Sequence, residues 1–165
     1  MTWKPENTLY IDMDGVLADF DLSAEILCGG MRPSLFEEKY GTAKFWETIN
    51  SDPNFFLNLQ PMPGAMDLYN AVKHLEPPIL TGIPQGMDPD NNQKRDWAKK
   101  MFGHQQRVIC CQASKKSLYI KAIGDTLVDD RQRYMRKWLA RGGYFVLHKN
   151  AADSIMKLKN LGLPL

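Results

Sequence analysis

The stretch Leu9-Tyr10-Ile11-Asp12-Met13-Asp14-Gly15-Val16-Leu17-Ala18-Asp19 sets a short apolar run directly against three carboxylates. The apolar residues predict a buried strand over Thr8 to Ile11, closed by turn-forming Asp and Gly. Asp12 and Asp14 stand two apart, so in a continuing strand they share a face, and Gly15 lets the chain turn away sharply behind them. Carboxylates this close repel one another unless a cation or a developing positive charge sits among them. The expectation is a carboxylate pair at the C-terminal end of a strand, where open α/β sheets place their ligands. For the motif alone a solvated Asp-Gly turn competes with that reading. The rest of the chain decides between them.

Further apolar runs also end in chemically capable residues. Pro78-Ile79-Leu80-Thr81-Gly82 ends in a threonine, Lys115-Lys116 follows the run Val108 to Cys111, and Thr126-Leu127-Val128-Asp129-Asp130-Arg131 ends in acids. Helical spacing fills the intervals. Ala65, Leu68, Val72 and Leu75 predict a helix over Ala65 to Glu76, stopped by Pro77-Pro78. Asn92 to Phe102 carries Trp97 and Met101 on one face, with Gly103 as its stop. Arg131 to Arg141 and Ala151 to Leu161 read as helices around a fifth strand, Tyr144 to Leu147. Strands alternating with helices predict an α/β fold, a Rossmann-like parallel five-stranded sheet flanked by helices. The break in the alternation is Asp21 to Met62, too long for an ordinary connection. Aromatic residues are dense there: Phe36, Tyr40, Phe45, Trp46, Phe55 and Phe56, with Phe20 just before it. They predict either a small satellite core or a helical cap whose rings stack on a base.

The ordered set Asp-x-Asp-Gly, Thr, Lys, acidic pair resembles the four motifs of the haloacid dehalogenase-like phosphohydrolase superfamily. Within it, Asp12 to Phe20, Phe55-Phe56-Leu57-Asn58-Leu59-Gln60-Pro61-Met62-Pro63-Gly64-Ala65 and Leu127 to Arg131 resemble the 5'(3')-deoxyribonucleotidases and their bacterial and phage relatives. The resemblance implies a haloacid dehalogenase-like core, residues 1–20 and 61–165, with a cap insertion, residues 21–60. It implies a phosphomonoesterase of (deoxy)ribonucleoside monophosphates working through an aspartyl phosphate. Asp12 would be the nucleophile and Asp14 the acid and base, with a pKa nearer neutrality than a free Asp has. Thr81, with backbone amides near Gly82, would bind the transferring group, and Lys116, favoured over Lys115, would supply a point charge. Magnesium would sit on Asp12, the Asp14 carbonyl and one of Asp129 and Asp130, with Arg131 pinning that pair by a bidentate contact. Asp125 would orient the loop. Phe20, Phe45 and Trp46 are the candidate base contacts.

Composition agrees with one compact domain. With 165 residues and 44% hydrophobic content, the chain can bury roughly two thirds of its unfolded surface. A net charge of +2 gives no electrostatic reason to expect a nucleic-acid polymer or a membrane as partner, so the expected partner is a small phosphomonoester. The protein would act as a monomer or homodimer. Cys28, Cys110 and Cys111 are odd in number, no leader or long apolar run is evident, and the chain reads as cytoplasmic and reduced. No Cys/His cluster supports zinc. His148, His74 and His104 read as structural, the methionines as packing, and Arg95, Lys99 and Lys100 as a solvated helix face. Two other functions fit the motifs: the same chemistry on sugar phosphates, another small phosphomonoester or a nucleic-acid terminal phosphate, and a phosphate-accepting switch. Against a switch stands Asp14, since a carboxylate two residues from the nucleophile promotes hydrolysis of the phospho-enzyme.

Overall fold

The computed structural model describes residues 2–165. Five short strands form one parallel sheet in the order β3-β2-β1-β4-β5: β1 Leu9–Ile11, β2 Ile79–Gly82, β3 Val108–Cys111, β4 Thr126–Asp129 and β5 Tyr144–Leu147. β1 lies at the centre, with Ile11 opposite both Ile79 and Val128. Near-continuous apolar strands are what a sheet covered on both faces requires. Leu9, Ile11, Ile79, Val128 and Val146 pack on one side with Leu68 and Val72 of α4 (Ala65–Val72), Trp97 and Ala98 of α5 (Gln93–Phe102) and Leu158 of α7 (Ala151–Asn160). Tyr10, Leu80 and Leu127 face the other side, where Trp138 of the short α6 (Met135–Leu139) covers them. That second layer is the thinner one.

Two expected helices are shorter than their periodicity suggests. α4 ends at Val72 and tightens into a 3-10 turn, Lys73–Leu75. The cause is Glu76, at φ 49°, among the described residues the non-glycine with positive φ; the proline after it bars the helical conformation. Arg131 to Arg141 is a 3-10 turn, Gln132–Tyr134, followed by α6, because the backbone first closes back on Asp129.

Between β1 and α4 the chain makes a three-helix excursion: α1 Phe20–Leu27, α2 Pro33–Tyr40 and α3 Thr42–Asn50. Its two ends are tied together, Asp19 N donating to Gln60 O at 2.7 Å and Met62 N to Leu17 O at 2.8 Å. Asp19 also caps α1 by accepting from Leu22 N. The aromatic cluster is real packing: Phe20 has the rings of Phe45, Trp46, Phe55 and Phe56 within 5.4–6.3 Å. Among the described residues no helix is long and apolar enough to cross a membrane.

Candidate active site

At the switch in strand order, beyond the C-terminal ends of β1 and β4, lies a cavity of about 760 Å³. Asp12 follows β1, Gly82 ends β2, Asp129 ends β4, and Lys116 comes from a 3-10 turn, Ala113–Tyr119, after β3. The Lys116 ammonium is 2.8 Å from Asp12 Oδ1 and 2.8 Å from Asp129 Oδ2, and all three side chains are buried. Burial pulls the Lys116 pKa down; the two carboxylates outweigh it and hold the lysine charged above its usual range. Burial raises Asp12, with Lys116 pulling against it. Lys115 is exposed.

Asp12, Asp129 and Asp130 each offer an oxygen within 4.8 Å of the others. Burial, then the charges of Asp12 and Asp129, push Asp130 up to about 7. Its Oδ1 is buried without a partner. Four carboxylates, with Asp14, meet two ammonium groups here, Lys116 and Lys94, so when all four are ionised the cluster has a deficit of two positive charges. An all-oxygen donor set with that deficit fits a hard dication such as magnesium. Both acids of the pair border the cluster, whereas alternation on a strand would admit only one. The chain leaves β4 at Asp129, so Asp130 is free to turn back toward Gly15.

Asp14 has a partner that the sequence reading did not supply. Its Oδ2 is 2.5 Å from the Lys94 ammonium, which also donates to Gly82 O at 2.7 Å and lies 5.2 Å from the centre of the Phe56 ring. Lys94 is 2% exposed and was not among the sequence candidates. The signal was present: continued backward by one turn, the apolar face of α5 through Trp97, Ala98 and Phe102 lands on Lys94. A lysine on a core stripe needs a buried partner.

Arg131 departs from its expected side-chain contact with the acidic pair, and Thr81 makes a local contact. Thr81 is fully buried, its hydroxyl bonds the Gly82 carbonyl at 3.4 Å, and it does not line the cavity, whereas Gly82 does. Arg131 holds Asp129 through its backbone amide, 2.9 Å from Oδ1, while its guanidinium forms no ion pair among the described residues. Asp125 accepts from the amides of Thr8, Lys121 and Ala122 and so fixes the loop before β4. Phe20, Phe45 and Trp46 line the wall of the cavity on the side of the three helices, with Phe56. Burial pushes the Cys111 thiol up to about 11, which leaves it protonated and a poor nucleophile. His148 is buried with Nδ1 2.8 Å from Ser154 Oγ, a structural contact.

The α/β Rossmann-like fold, a parallel sheet with a helical excursion after its first strand, has counterparts among solved structures. It is shared with a hydrolase from Streptococcus pneumoniae, TM-score 0.60 and 13% identity over 96% of this chain and 100% of the other. A haloacid dehalogenase-like family hydrolase from the same organism superposes with TM-score 0.57 and 13% identity, covering 97% and 92%. In sequence, the chain is 28% identical over 126 residues to a candidate 5'(3')-deoxyribonucleotidase of Vibrio phage KVP40. The match takes in 76% of this chain and 66% of the phage protein, just under two thirds of that relative's length. No protein-family profile matches the chain.

Proposed function

We propose that this protein is a magnesium-dependent phosphomonoesterase that hydrolyses nucleoside monophosphates to nucleoside and phosphate. The observation that carries the reading is the buried Lys116 bridging Asp12 and Asp129 beside Asp130, at the floor of a cavity walled by aromatic rings. The name of the phage relative supports the substrate class. Residues 21–60 act as the cap of this site, and Phe20, Phe45 and Trp46 give it an apolar wall for the base.

Asp12 Oδ1 is engaged by the Met13 amide and by Lys116, both at 2.8 Å, so Oδ2 is the oxygen we assign to attack phosphorus. The phosphorus–ester bond breaks as the Asp12–phosphorus bond forms, and Asp14 gives its proton to the departing nucleoside oxygen. Water then attacks the aspartyl phosphate, Asp14 takes the water's proton, and phosphate leaves. Lys94 sits between Gly82 and Asp14, where a phosphate oxyanion competes with Asp14 for its ammonium. Release from that pair leaves the Asp14 carboxyl free to exchange the proton. Asp12, Asp129 and Asp130 would hold magnesium, which supplies charge neutralisation for the phosphoryl oxygens when bound.

The test is phosphate release from nucleoside 5'- and 3'-monophosphates, sugar phosphates and an aryl phosphate, in magnesium and then in excess chelator, for the parent and Asp12→Asn. Magnesium-dependent release concentrated on nucleotides and abolished by the substitution is expected. Full turnover in Asp12→Asn would remove the covalent mechanism, and release confined to sugar phosphates would remove the nucleotide reading.

A further inference from the structure

The net charge of +2 conceals two opposed thirds of the chain. Residues 1–60 carry ten acidic and four basic side chains, and residues 107–165 carry four acidic and twelve basic. In the basic third, Asp125 and Asp129 are buried, Asp130 lies in the carboxylate cluster and Asp153 is paired with Lys157. Its outer surface is therefore cationic almost without compensation. Arg131, Arg133, Arg136, Lys137 and Arg141 are all exposed, and among the described residues none takes part in an ion pair.

These cations are also ordered in space. Arg131 and Arg133 line the catalytic cavity together with Tyr134. The Tyr134 ring gathers two of the cations, the Arg133 guanidinium at 5.3 Å and the Lys137 ammonium at 5.4 Å from its centre. Arg133 stands in the 3-10 turn Gln132–Tyr134, Lys137 in α6 and Arg141 just beyond it, so the three cations follow one another along a segment that begins at the cavity wall. The lining that α1 and α2 contribute carries Asp21, Glu25 and Glu37, with Arg32 at the start of α2 the one cation among them. A polyanion emerging from the cavity is repelled by that lining and drawn along the basic segment.

A mononucleotide has one phosphate, and Lys116 and Lys94 already meet it. It gives the outer cations nothing to bind. A phosphodiester backbone does, because it offers negative charge at regular intervals. Asp12, Asp129 and Lys116 are buried in the cavity, so a slender strand end reaches them more readily than the blunt end of a duplex. We propose that Arg133, Lys137 and Arg141 bind the backbone of a single-stranded nucleic acid whose terminal phosphate occupies the catalytic cavity. This rests on the phosphomonoesterase reading for the cavity itself. The reaction is unchanged: water is consumed, the terminal phosphate is released, and the strand keeps a hydroxyl end.

The test is fluorescence anisotropy of a 5'-phosphorylated dT12, labelled at its 3' end, with the full chain in chelator at 25–200 mM salt. Three contacted phosphates give a slope of log K against log salt of about −2, at about −0.7 per contact for a single strand. Binding at the lowest salt should be at least ten times tighter than that of dTMP. Arg133→Ala/Lys137→Ala/Arg141→Ala should lose most of the slope, Arg141→Ala alone should reduce it by about 0.7, and Lys99→Ala/Lys100→Ala should keep it. A slope unchanged in the triple variant, or dT12 bound no more tightly than dTMP, would overturn the proposal. So would salt-sensitive self-association through the basic face with no strand bound. Phosphate release then separates the two readings. Release from dTMP but not from dT12 sinks the strand proposal alone; tight strand binding with no release from any phosphomonoester supports the strand track and sinks the phosphatase.

Discussion

A methyl group on residue 15 would lie 2.2 Å from Asp130 Oδ2, and the backbone there has φ of +78°. Glycine is thus required twice, for the turn after Asp14 and for the approach of Asp130 to Asp12. Gly15→Ala should cost about 1–2 kcal/mol from the left-handed backbone alone and should displace Asp130. Thermal unfolding checks the first, and the magnesium concentration for half-maximal phosphate release checks the second. An unchanged magnesium requirement would mean that Asp130 is no ligand. Lys94 offers the companion test. Lys94→Gln keeps the length and removes the charge that touches Asp14 and Gly82, and kcat/KM should fall about 100-fold, or about 2.7 kcal/mol of transition-state stabilisation. Lys94→Arg should recover part of it. Parent kinetics in Lys94→Gln would reduce the pair to a packing contact. Asp12 was legible in sequence because it directly follows a short apolar run that reads as a strand, and the Lys115-Lys116 pair because the motif order of the superfamily it resembles puts a lysine there. Lys94 was not, since its partner stands eighty residues away and only the continuity of a helix stripe connects them.

Among the elements, the strands were the most legible, because each is a short apolar run bounded by turn residues, and a parallel buried sheet needs little else. The region around α6 was less so: charged residues fill it and the backbone amide of Arg131, invisible to periodicity, decides where the helix starts. In the three-helix excursion, the residues that pack and the residues that line the cavity overlap. Phe20 is surrounded by four rings, so truncating it would disrupt a core, whereas Trp46 is half-buried and lines the cavity. Trp46→Ala should lower kcat/KM for nucleotides about tenfold, within the worth of one base stacked on an aromatic ring, and leave an aryl phosphate within about twofold. Equal losses would assign the ring to packing. A second element joins β5 to α7 through His148 and Ser154. Burial lowers the His148 pKa from its usual value, so its neutral form is the folded one. Its contribution is full above the unfolded value of about 6.5 and is lost as pH falls below it, because the unfolded chain then binds the extra proton. The parent should lose stability between pH 7 and 5 more steeply than His148→Gln, as followed by thermal midpoints. Identical slopes would show that His148 does not titrate on unfolding.

For the whole molecule the site is an electrostatic debt held by the fold. Lys116 and Lys94 neutralise two of the four carboxylates, and Asp130 keeps a buried oxygen without a partner. A dication that binds only the folded chain must therefore stabilise it. At a hundred times its dissociation constant the gain is about 2.7 kcal/mol, and for a chain of this size that raises the thermal midpoint by about 5–10 °C. Magnesium should produce that shift, chelator should reverse it, and sodium at matched ionic strength should not reproduce it, since screening acts on exposed charges more than on buried ones. Asp130→Asn sharpens the test because it removes one of the repelling carboxylates. In chelator the variant should be as stable as the parent or more so, while its response to magnesium should largely vanish. The opposite pair of results, a less stable variant with an intact magnesium shift, would move the metal off Asp130 and would leave that carboxyl, pushed up to about 7, as a neutral partner in the floor of the cavity.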